Sequence, residues 1–206
     1  ILALGGYGRG ELCPHSDVDV MVLCPVGASR ESANETAKLF LRLLWDAGLI
    51  VGHSVRTIDE ALQTKGSAID SWASMLESRL ICGNQTLADD LYAEMKGAVE
   101  EGRDTWFIEG VFEDIRSRHV RYGNSVKLLE PNVKKSAGGL RDMHTVFWLY
   151  RANDPAYFFR SQGAKPLTHE FFHALSVSNV VDDDERRATV EAYEFMLRTR
   201  HSMHYR

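Results

Sequence analysis

Short runs in which apolar and polar residues alternate occupy the first part of the chain. Residues 1–4 and 17–23 predict two strands joined by a glycine-rich connection, and residues 49–57, which are rich in β-branched residues, predict a third. Side chains alternate between the two faces of a strand, so Asp17 and Asp19 are expected on one face and their valine neighbours on the other.

Segments in which apolar residues recur at helical spacing lie between these strands and after them. Residues 29–47 predict an amphipathic helix that ends at Gly48, a common helix terminus, with apolar positions at Ala33, Ala37, Phe40, Leu41 and Leu44. Residues 59–65 and 69–82 also predict helices, with a break at Gly66. Residues 1–84 are therefore expected to form a small α/β domain with a mixed sheet.

The remainder, residues 85–206, is expected to be an all-helical domain, which makes the whole chain α+β. Helices are predicted over 87–101 and 104–121, and a loop with Pro131 is predicted over 125–139. An apolar stripe marks the next helix at Leu140, Met143, Phe147 and Tyr150. Interruptions follow at Pro155 and at residues 163–166, and a last helix opens with the acidic residues Asp182, Asp183, Asp184 and Glu185.

The glycine-rich connection and the aspartate pair carry the clearest candidate chemistry. Two carboxylates on one strand face, about 7 Å apart along the chain, suit one or two hard cations. Gly5 and Gly6 let backbone N–H groups approach an anion without a Cβ in the way. Together with Ser16, these residues suit a magnesium-bound triphosphate. The alternative is a hairpin strand with an exposed aspartate pair beside an ordinary glycine turn.

This arrangement resembles the polymerase-beta-type nucleotidyltransferase superfamily, in which a Gly-Gly or Gly-Ser turn is followed by D-x-D on the next strand. The residues that follow narrow the resemblance to the bacterial protein-PII uridylyltransferase family, the bifunctional uridylyltransferase/uridylyl-removing enzymes. The matching segments occur in the family's order and span most of the chain: residues 5–12, 16–19, 44–49, 51–57, 76–80, 118–122, 129–134 and 137–142.

The resemblance implies a polymerase-beta-like domain over residues 1–84, with Mg²⁺ held by Asp17 and Asp19 as the catalytic pair. It also implies transfer of UMP from UTP to a tyrosine hydroxyl of the PII signal protein, with release of pyrophosphate, in nitrogen regulation. Full-length members carry an HD domain that removes the uridylyl group and ACT domains that sense glutamine. The chain begins inside a strand and stops inside a helical pattern, so it is expected to be a piece that lacks these domains.

Further residues are candidates for contact with the nucleotide. Arg9 follows the glycine turn closely enough to reach a phosphate, and its alternative is a solvated turn residue. Ser16 is expected to donate its hydroxyl to a phosphate or to bond to backbone. Lys134, with Lys135 and Arg141, surrounds a second Gly-Gly turn and suits a triphosphate or an acidic partner protein; the alternative there is a solvated loop.

One departure from the superfamily pattern concerns a third carboxylate, which is often found on the strand after the first long helix. That strand offers His53 and Arg56, which match the uridylyltransferase family, but no acid. A base from elsewhere, such as Glu77 or Glu130, is then needed to activate the acceptor. Two rival functions stay open: transfer to another acceptor, either a small molecule or a protein that is adenylylated, and a catalytically silent nucleotide-binding regulatory module.

Composition restricts the partners. Lys and Arg total 24 against 29 Asp and Glu, which gives a net charge of −5 and argues against nucleic acid. No stretch approaches the length and apolarity of a membrane span. The cysteines, Cys13, Cys24 and Cys82, have no C-x-x-C spacing, which favours a reduced cytoplasmic setting over a disulfide framework or zinc site.

Overall fold

The computed structural model describes residues 1–205 apart from 67, 102–104, 126, 128, 131 and 154–166; the side chains of Glu101 and Leu167 also lie outside the described part. The elements are, in order, β1 (Leu2–Ala3), α1 (Gly5–Arg9), β2 (Val18–Leu23), α2 (Arg30–Asp46), β3 (Val51–Arg56), α3 (Ile58–Leu62), α4 (Ile69–Leu76), β4 (Arg79–Leu80), α5 (Gln85–Glu101), α6 (Thr105–Tyr122), α7 (Leu140–Asn153), α8 (Leu167–Val177) and α9 (Asp183–His204).

The chain divides into two compact units, residues 1–103 and 104–206. The first unit contains a four-stranded mixed sheet in the order β3-β2-β1-β4. Strand β1 pairs antiparallel with both β2 and β4, whereas β2 and β3 pair in parallel. Parallel neighbours require a crossover connection, and α2 supplies it. The predicted α+β class with a mixed sheet is thereby confirmed.

Helix α2 covers one face of this sheet. The Ser29 side chain caps its N-terminus by accepting a hydrogen bond from the backbone of Ser32. Its buried positions, Ala37 and Leu41, belong to the apolar stripe predicted from the sequence. Leu41 packs in one cluster with Val18 and Val20 of β2. That face of β2 is therefore committed to the core, and the alternate side chains are left on the other face.

The predicted helix over 69–82 is too long. Helix α4 ends at Leu76, and Arg79 and Leu80 pair with Ala3 and Leu2 of β1. Pairing with a distant strand has overridden the local helical spacing here, as tertiary context commonly does.

Helix α5 lies in the first unit, although it begins just after the predicted boundary at residue 84. Its buried face comprises Ala88, Leu91, Tyr92, Met95 and Val99. The helix packs on α3, and the Lys65 ammonium donates a hydrogen bond to the Ala98 carbonyl. The division of the chain into a domain over 1–84 and another over 85–206 stays a prediction.

The second unit contains α6 to α9. Its buried aromatic residues are Phe107, Phe147, Trp148, Phe171, Phe172 and Tyr193. The rings of Phe147 and Phe171 meet edge to face with centroids 5.3 Å apart. Asp182 caps α9 and forms a capping box with Glu185, as expected for an acidic helix start. The predicted interruptions at Pro131, Pro155 and residues 163–166 lie outside the described residues, as does the predicted helix start at Asp104.

Candidate active site

The two aspartates lie where β2 begins. Asp19 is in the strand, and Asp17 immediately precedes it. Val18 and Val20 are buried, Asp17 is exposed and Asp19 is half-buried, so the predicted alternation of faces is confirmed. The sheet thus presents two carboxylates away from the core that α2 covers.

Two glycines, Gly5 and Gly52, lie next to the Asp19 carboxylate. A Cβ at Gly5 would lie 3.4 Å from Asp19 Oδ2, and a Cβ at Gly52 would lie 2.3 Å from Asp19 Oδ1. Gly52 is the residue paired with Asp19 across the parallel ladder. Gly5 has a φ of +53°, in the left-handed region that favours glycine. Gly52 therefore leaves the space that the Asp19 carboxylate needs, whereas glycine at position 5 is favoured by the backbone conformation.

The glycine turn forms the start of α1, directly after β1. The Leu4 amide donates to the Asp19 carbonyl at 2.9 Å, which ties the start of this turn to β2. At Gly6 the surroundings are open: a Cβ would make only ordinary contacts, 3.7 Å from Arg9 Nη2 and 3.9 Å from the Glu11 carbonyl oxygen. Nothing in the fold of this turn therefore requires glycine at position 6.

Arg9 is a buried residue in the structure. Its Nε lies 2.9 Å from Glu11 Oε2 and its Nη1 lies 2.5 Å from Glu77 Oε1. The three side chains are 6%, 5% and 2% exposed, respectively. The alternative of a solvated turn residue is wrong, because the guanidinium is enclosed with two carboxylates. Its contact with a phosphate stays a prediction.

The residues 77–79, which we call the Glu77–Arg79 segment, contact α1 closely. A Cβ at Gly8 would lie 2.0 Å from the Glu77 carbonyl oxygen, so only glycine fits at this position. The Arg79 guanidinium donates to the carbonyls of Tyr7 at 3.0 Å and Gly8 at 3.2 Å. Sequence reasoning considered Glu77 only as a base and assigned no role to Gly8, Gly52 or Arg79. The one available signal was glycine inside a predicted strand at position 52, which often marks a close approach.

The predicted basic turn of the second unit is a tightly bonded loop. Asn132 Oδ1 accepts hydrogen bonds from the amides of Lys134 at 3.1 Å and Lys135 at 2.9 Å. The Lys135 ammonium donates to the Tyr122 hydroxyl at 3.1 Å and lies over its ring. This hydrogen bond lowers the pKa of Tyr122 below its ordinary value. Lys134 and Lys135 are both half-buried, so the alternative of a solvated loop does not describe them.

Asp142, at the start of α7, joins this loop to α6. Its carboxylate accepts from Arg118 Nη1 at 2.7 Å and from the Gly138 amide at 2.7 Å, and it lies 3.1 Å from His119 Nε2. Burial by itself would raise the pKa of Asp142, but these hydrogen bonds outweigh it and hold the pKa below its ordinary value. Arg141, the neighbouring residue, lies over the Trp148 ring at 4.9 Å.

Comparison with known proteins finds relatives that match nearly the whole chain. The model of the family described as GlnD PII-uridylyltransferase matches residues 107–206. A bifunctional uridylyltransferase/uridylyl-removing enzyme of Pseudomonas putida is 35% identical over 204 residues, which is 99% of this chain and 21% of that protein. The enzyme of the same name from Thiobacillus denitrificans is 41% identical over 154 residues, 75% of this chain and 18% of that protein. The chain belongs to the PII-uridylyltransferase family.

The chain spans about a fifth of the length of the curated relatives it matches. The match to the Pseudomonas putida enzyme covers nearly all of it, so it includes the aspartates and glycines of the first unit as well as the loop of the second. Within the described residues of this PII-uridylyltransferase family member, no helix is long and apolar enough to cross a membrane.

The donor set at β2 fits a magnesium ion that is shared with a nucleotide. Mg²⁺ is usually held by one or two carboxylates, with substrate phosphates and waters completing its octahedral shell. Asp17 and Asp19 offer such a pair, and the absence of a Cβ at Gly52 leaves room for the Asp19 carboxylate in its observed position. In the part of the chain that the structure describes, no three or more His, Cys, Asp or Glu residues form a group that could hold a metal ion.

Proposed function

We propose that this chain carries the nucleotidyl-transfer activity of a PII uridylyltransferase: it transfers UMP from UTP to a tyrosine hydroxyl of the PII signal protein and releases pyrophosphate. The observation that supports it most is the seating of the Asp19 carboxylate between Gly5 and Gly52, next to a second exposed aspartate. Its family and the names of its relatives agree with this activity. We place the reaction in the cytoplasm, where the three free cysteines would remain reduced.

Each candidate site residue of the first unit has its own role in this proposal. Asp17 and Asp19 hold the metal through their carboxylate oxygens. Gly5 and Gly6 offer backbone N–H groups to the phosphates, and Ser16 offers its hydroxyl. When bound, Mg²⁺ would stabilise the negative charge that develops on the leaving pyrophosphate and acidify the acceptor hydroxyl. The chain's own contribution is to hold the triphosphate in place and to align its α-phosphorus with that hydroxyl.

The basic residues Lys134 and Arg9 also have proposed roles. Lys134 is assigned to the nucleotide or to an acidic surface of PII, because its loop is fixed by hydrogen bonds that the Lys134 and Lys135 amides donate to Asn132 Oδ1. Arg9 is assigned to the phosphates only if it leaves the two carboxylates that now enclose it. A general base is not assigned, because β3 carries no acid and Glu77 is already engaged with Arg9.

Transfer of label tests the proposal directly. The purified chain is mixed with Mg²⁺, UTP labelled at the α-phosphate and PII protein, and the label on PII and the released pyrophosphate are both measured. The same reaction with ATP, CTP and GTP tests the choice of base, and a PII variant with its acceptor tyrosine changed to phenylalanine tests the acceptor. Label on PII only with UTP and only with the tyrosine supports the proposal, and release of pyrophosphate without labelled PII contradicts it.

A second function has one observation in its favour. The residue opposite Asp19 on β3 is Gly52, so the neighbouring strand supplies no third carboxylate where the superfamily often has one. A chain of this kind would bind a nucleotide and transfer nothing, as a regulatory module. Calorimetric titration with UTP separates the cases: binding with no label transfer to PII or to water favours the silent module over the enzyme.

A further inference from the structure

We propose that Glu77 and Arg79 are positioning residues: they hold α1 in place and thereby set the Gly5-Gly6 turn beside Asp19. The inference deepens the proposed function, on which its catalytic consequence rests. Neither side chain needs to touch the nucleotide for this role. Three contacts, all of them within the first unit, support this role.

The first contact is between backbones. Ala3 and Arg79 are paired across the β1–β4 ladder, so β4 lies beside the strand that leads directly into the glycine turn. The Glu77 carbonyl oxygen approaches Gly8 so closely that a Cβ there would lie 2.0 Å away. Since this neighbour is backbone and not the end of a flexible side chain, α1 cannot shift toward the Glu77–Arg79 segment.

The second contact is ionic. Arg9, the last residue of α1, places its guanidinium between the carboxylates of Glu11 and Glu77. All three side chains are almost fully buried, so loss of Arg9 would leave two enclosed carboxylates without the cation between them. A buried ion pair is weak evidence for added stability, and we infer that its role here is to specify one arrangement. The end of α1 is thus tied in register to the Glu77–Arg79 segment.

The third contact closes the helix end. The last carbonyls of a helix have no partner within the helix, and in α1 the carbonyls of Tyr7 and Gly8 receive hydrogen bonds from Arg79. The planar guanidinium reaches both acceptors from one side chain, which a lysine ammonium does less well. The cation also lies 5.8 Å from the centre of the Tyr7 ring.

These contacts matter because α1 is only five residues long and contains three glycines. A helix of that length and composition does not hold its own shape in water. Its position relative to Asp19 must therefore come from its neighbours. The Glu77–Arg79 segment contacts the end of α1 at Tyr7, Gly8 and Arg9, and the opposite end carries Gly5 and Gly6.

The test compares Arg79→Lys and Glu77→Gln with the control Arg42→Lys, which changes an exposed arginine of α2. The amide NMR signals of Gly5 and Gly6 report the position of the turn without any need for activity. Both test variants should shift these signals and lower kcat/KM for UTP about tenfold, with KM for PII little changed. Arg79→Lys should leave the melting temperature near the parental value, whereas Glu77→Gln should also lower it, because a buried ion pair is broken. The Arg42→Lys control should neither shift these signals nor lower kcat/KM for UTP.

The possible outcomes separate the two proposals. If the parent chain transfers no label, the proposed function fails, and the glycine amide signals alone decide whether the segment positions the turn. If one variant unfolds, the other carries the test. Folded test variants with parental amide signals, or with parental kcat and KM for UTP in an active chain, overturn the positioning role.

Discussion

Gly52 stands opposite Asp19 in the parallel ladder of β2 and β3, and a Cβ at Gly52 would lie 2.3 Å from Asp19 Oδ1. The atom that would have to move is the end of a side chain, so the fold can accommodate the change by turning the carboxylate. Glycine at position 52 is therefore expected to matter for the direction of the Asp19 carboxylate and not for the stability of the fold.

Replacement of Gly52 by alanine should therefore separate activity from stability. We expect the Asp19 carboxylate to rotate away, transfer to PII to fall ten- to a hundredfold, and the melting temperature to stay within a few degrees, since small displacements of a reacting group cost about that much. Gly97→Ala in α5, where a Cβ meets nothing within 4 Å, is the matched control. Parental kinetics in Gly52→Ala would show that the position of Asp19 is not critical.

Substitution of either aspartate by asparagine tests the metal. Asp17→Asn and Asp19→Asn should each lower nucleotidyl transfer roughly a thousandfold, because one charged ligand of the metal is lost. Both side chains lie away from the core, so circular dichroism and melting should match the parent. Raised Mg²⁺ should partly restore a variant that binds metal weakly. Near-normal turnover in either variant would refute the two-aspartate mechanism.

The glycine turn is tested at position 6. Gly6→Val places a side chain where the surrounding protein leaves room, so UTP affinity should fall tenfold or more while stability changes little. Gly8→Ala gives the contrasting result, because its Cβ meets the Glu77 carbonyl oxygen and the melting temperature should drop clearly. Calorimetry with UTP and thermal melts measure the two effects. Unchanged affinity in folded Gly6→Val would make the turn a structural element only.

The two lysines of the second unit should behave differently. Lys135→Ala removes the ammonium from the Tyr122 hydroxyl and ring, so it should lower the melting temperature slightly. Lys134→Ala should instead raise KM for UTP or for PII with little change in melting temperature. Steady-state kinetics with each substrate varied in turn identify which one. Two parental KM values in Lys134→Ala would remove this residue from the proposal.

Acid should weaken the second unit through Asp142. Its pKa in the folded chain lies below the ordinary value of 3.8, so its contribution to stability is fully present above that value. The contribution is lost as pH falls through the lowered folded pKa, with Arg118 and His119 as the groups that face the carboxylate. The difference in melting temperature between the parent and Asp142→Asn should therefore shrink as pH falls below 4. A difference independent of pH would exclude this linkage.

The sequence was sufficient where the signal is local. Alternation along β2 predicted that Asp17 and Asp19 would avoid the core, and helical spacing predicted α2 with its buried Ala37 and Leu41. It was insufficient where distant segments meet. The burial of Arg9 depends on Glu77, and strand β4 forms only because β1 is available to pair with it. The spacing of nearby residues predicts neither the contact of Arg9 with Glu77 nor the pairing of β4 with β1.

The β1–β4 pairing has a consequence for synthesis on the ribosome. Leu2 pairs with Leu80 across the β1–β4 ladder. Contacts between residues so far apart in sequence form late, because a long loop must close first. In the nascent chain the glycine turn therefore lacks its contacts with the Glu77–Arg79 segment until about eighty further residues have left the exit tunnel. A chaperone that shields the emerging segment would be expected to act during that interval.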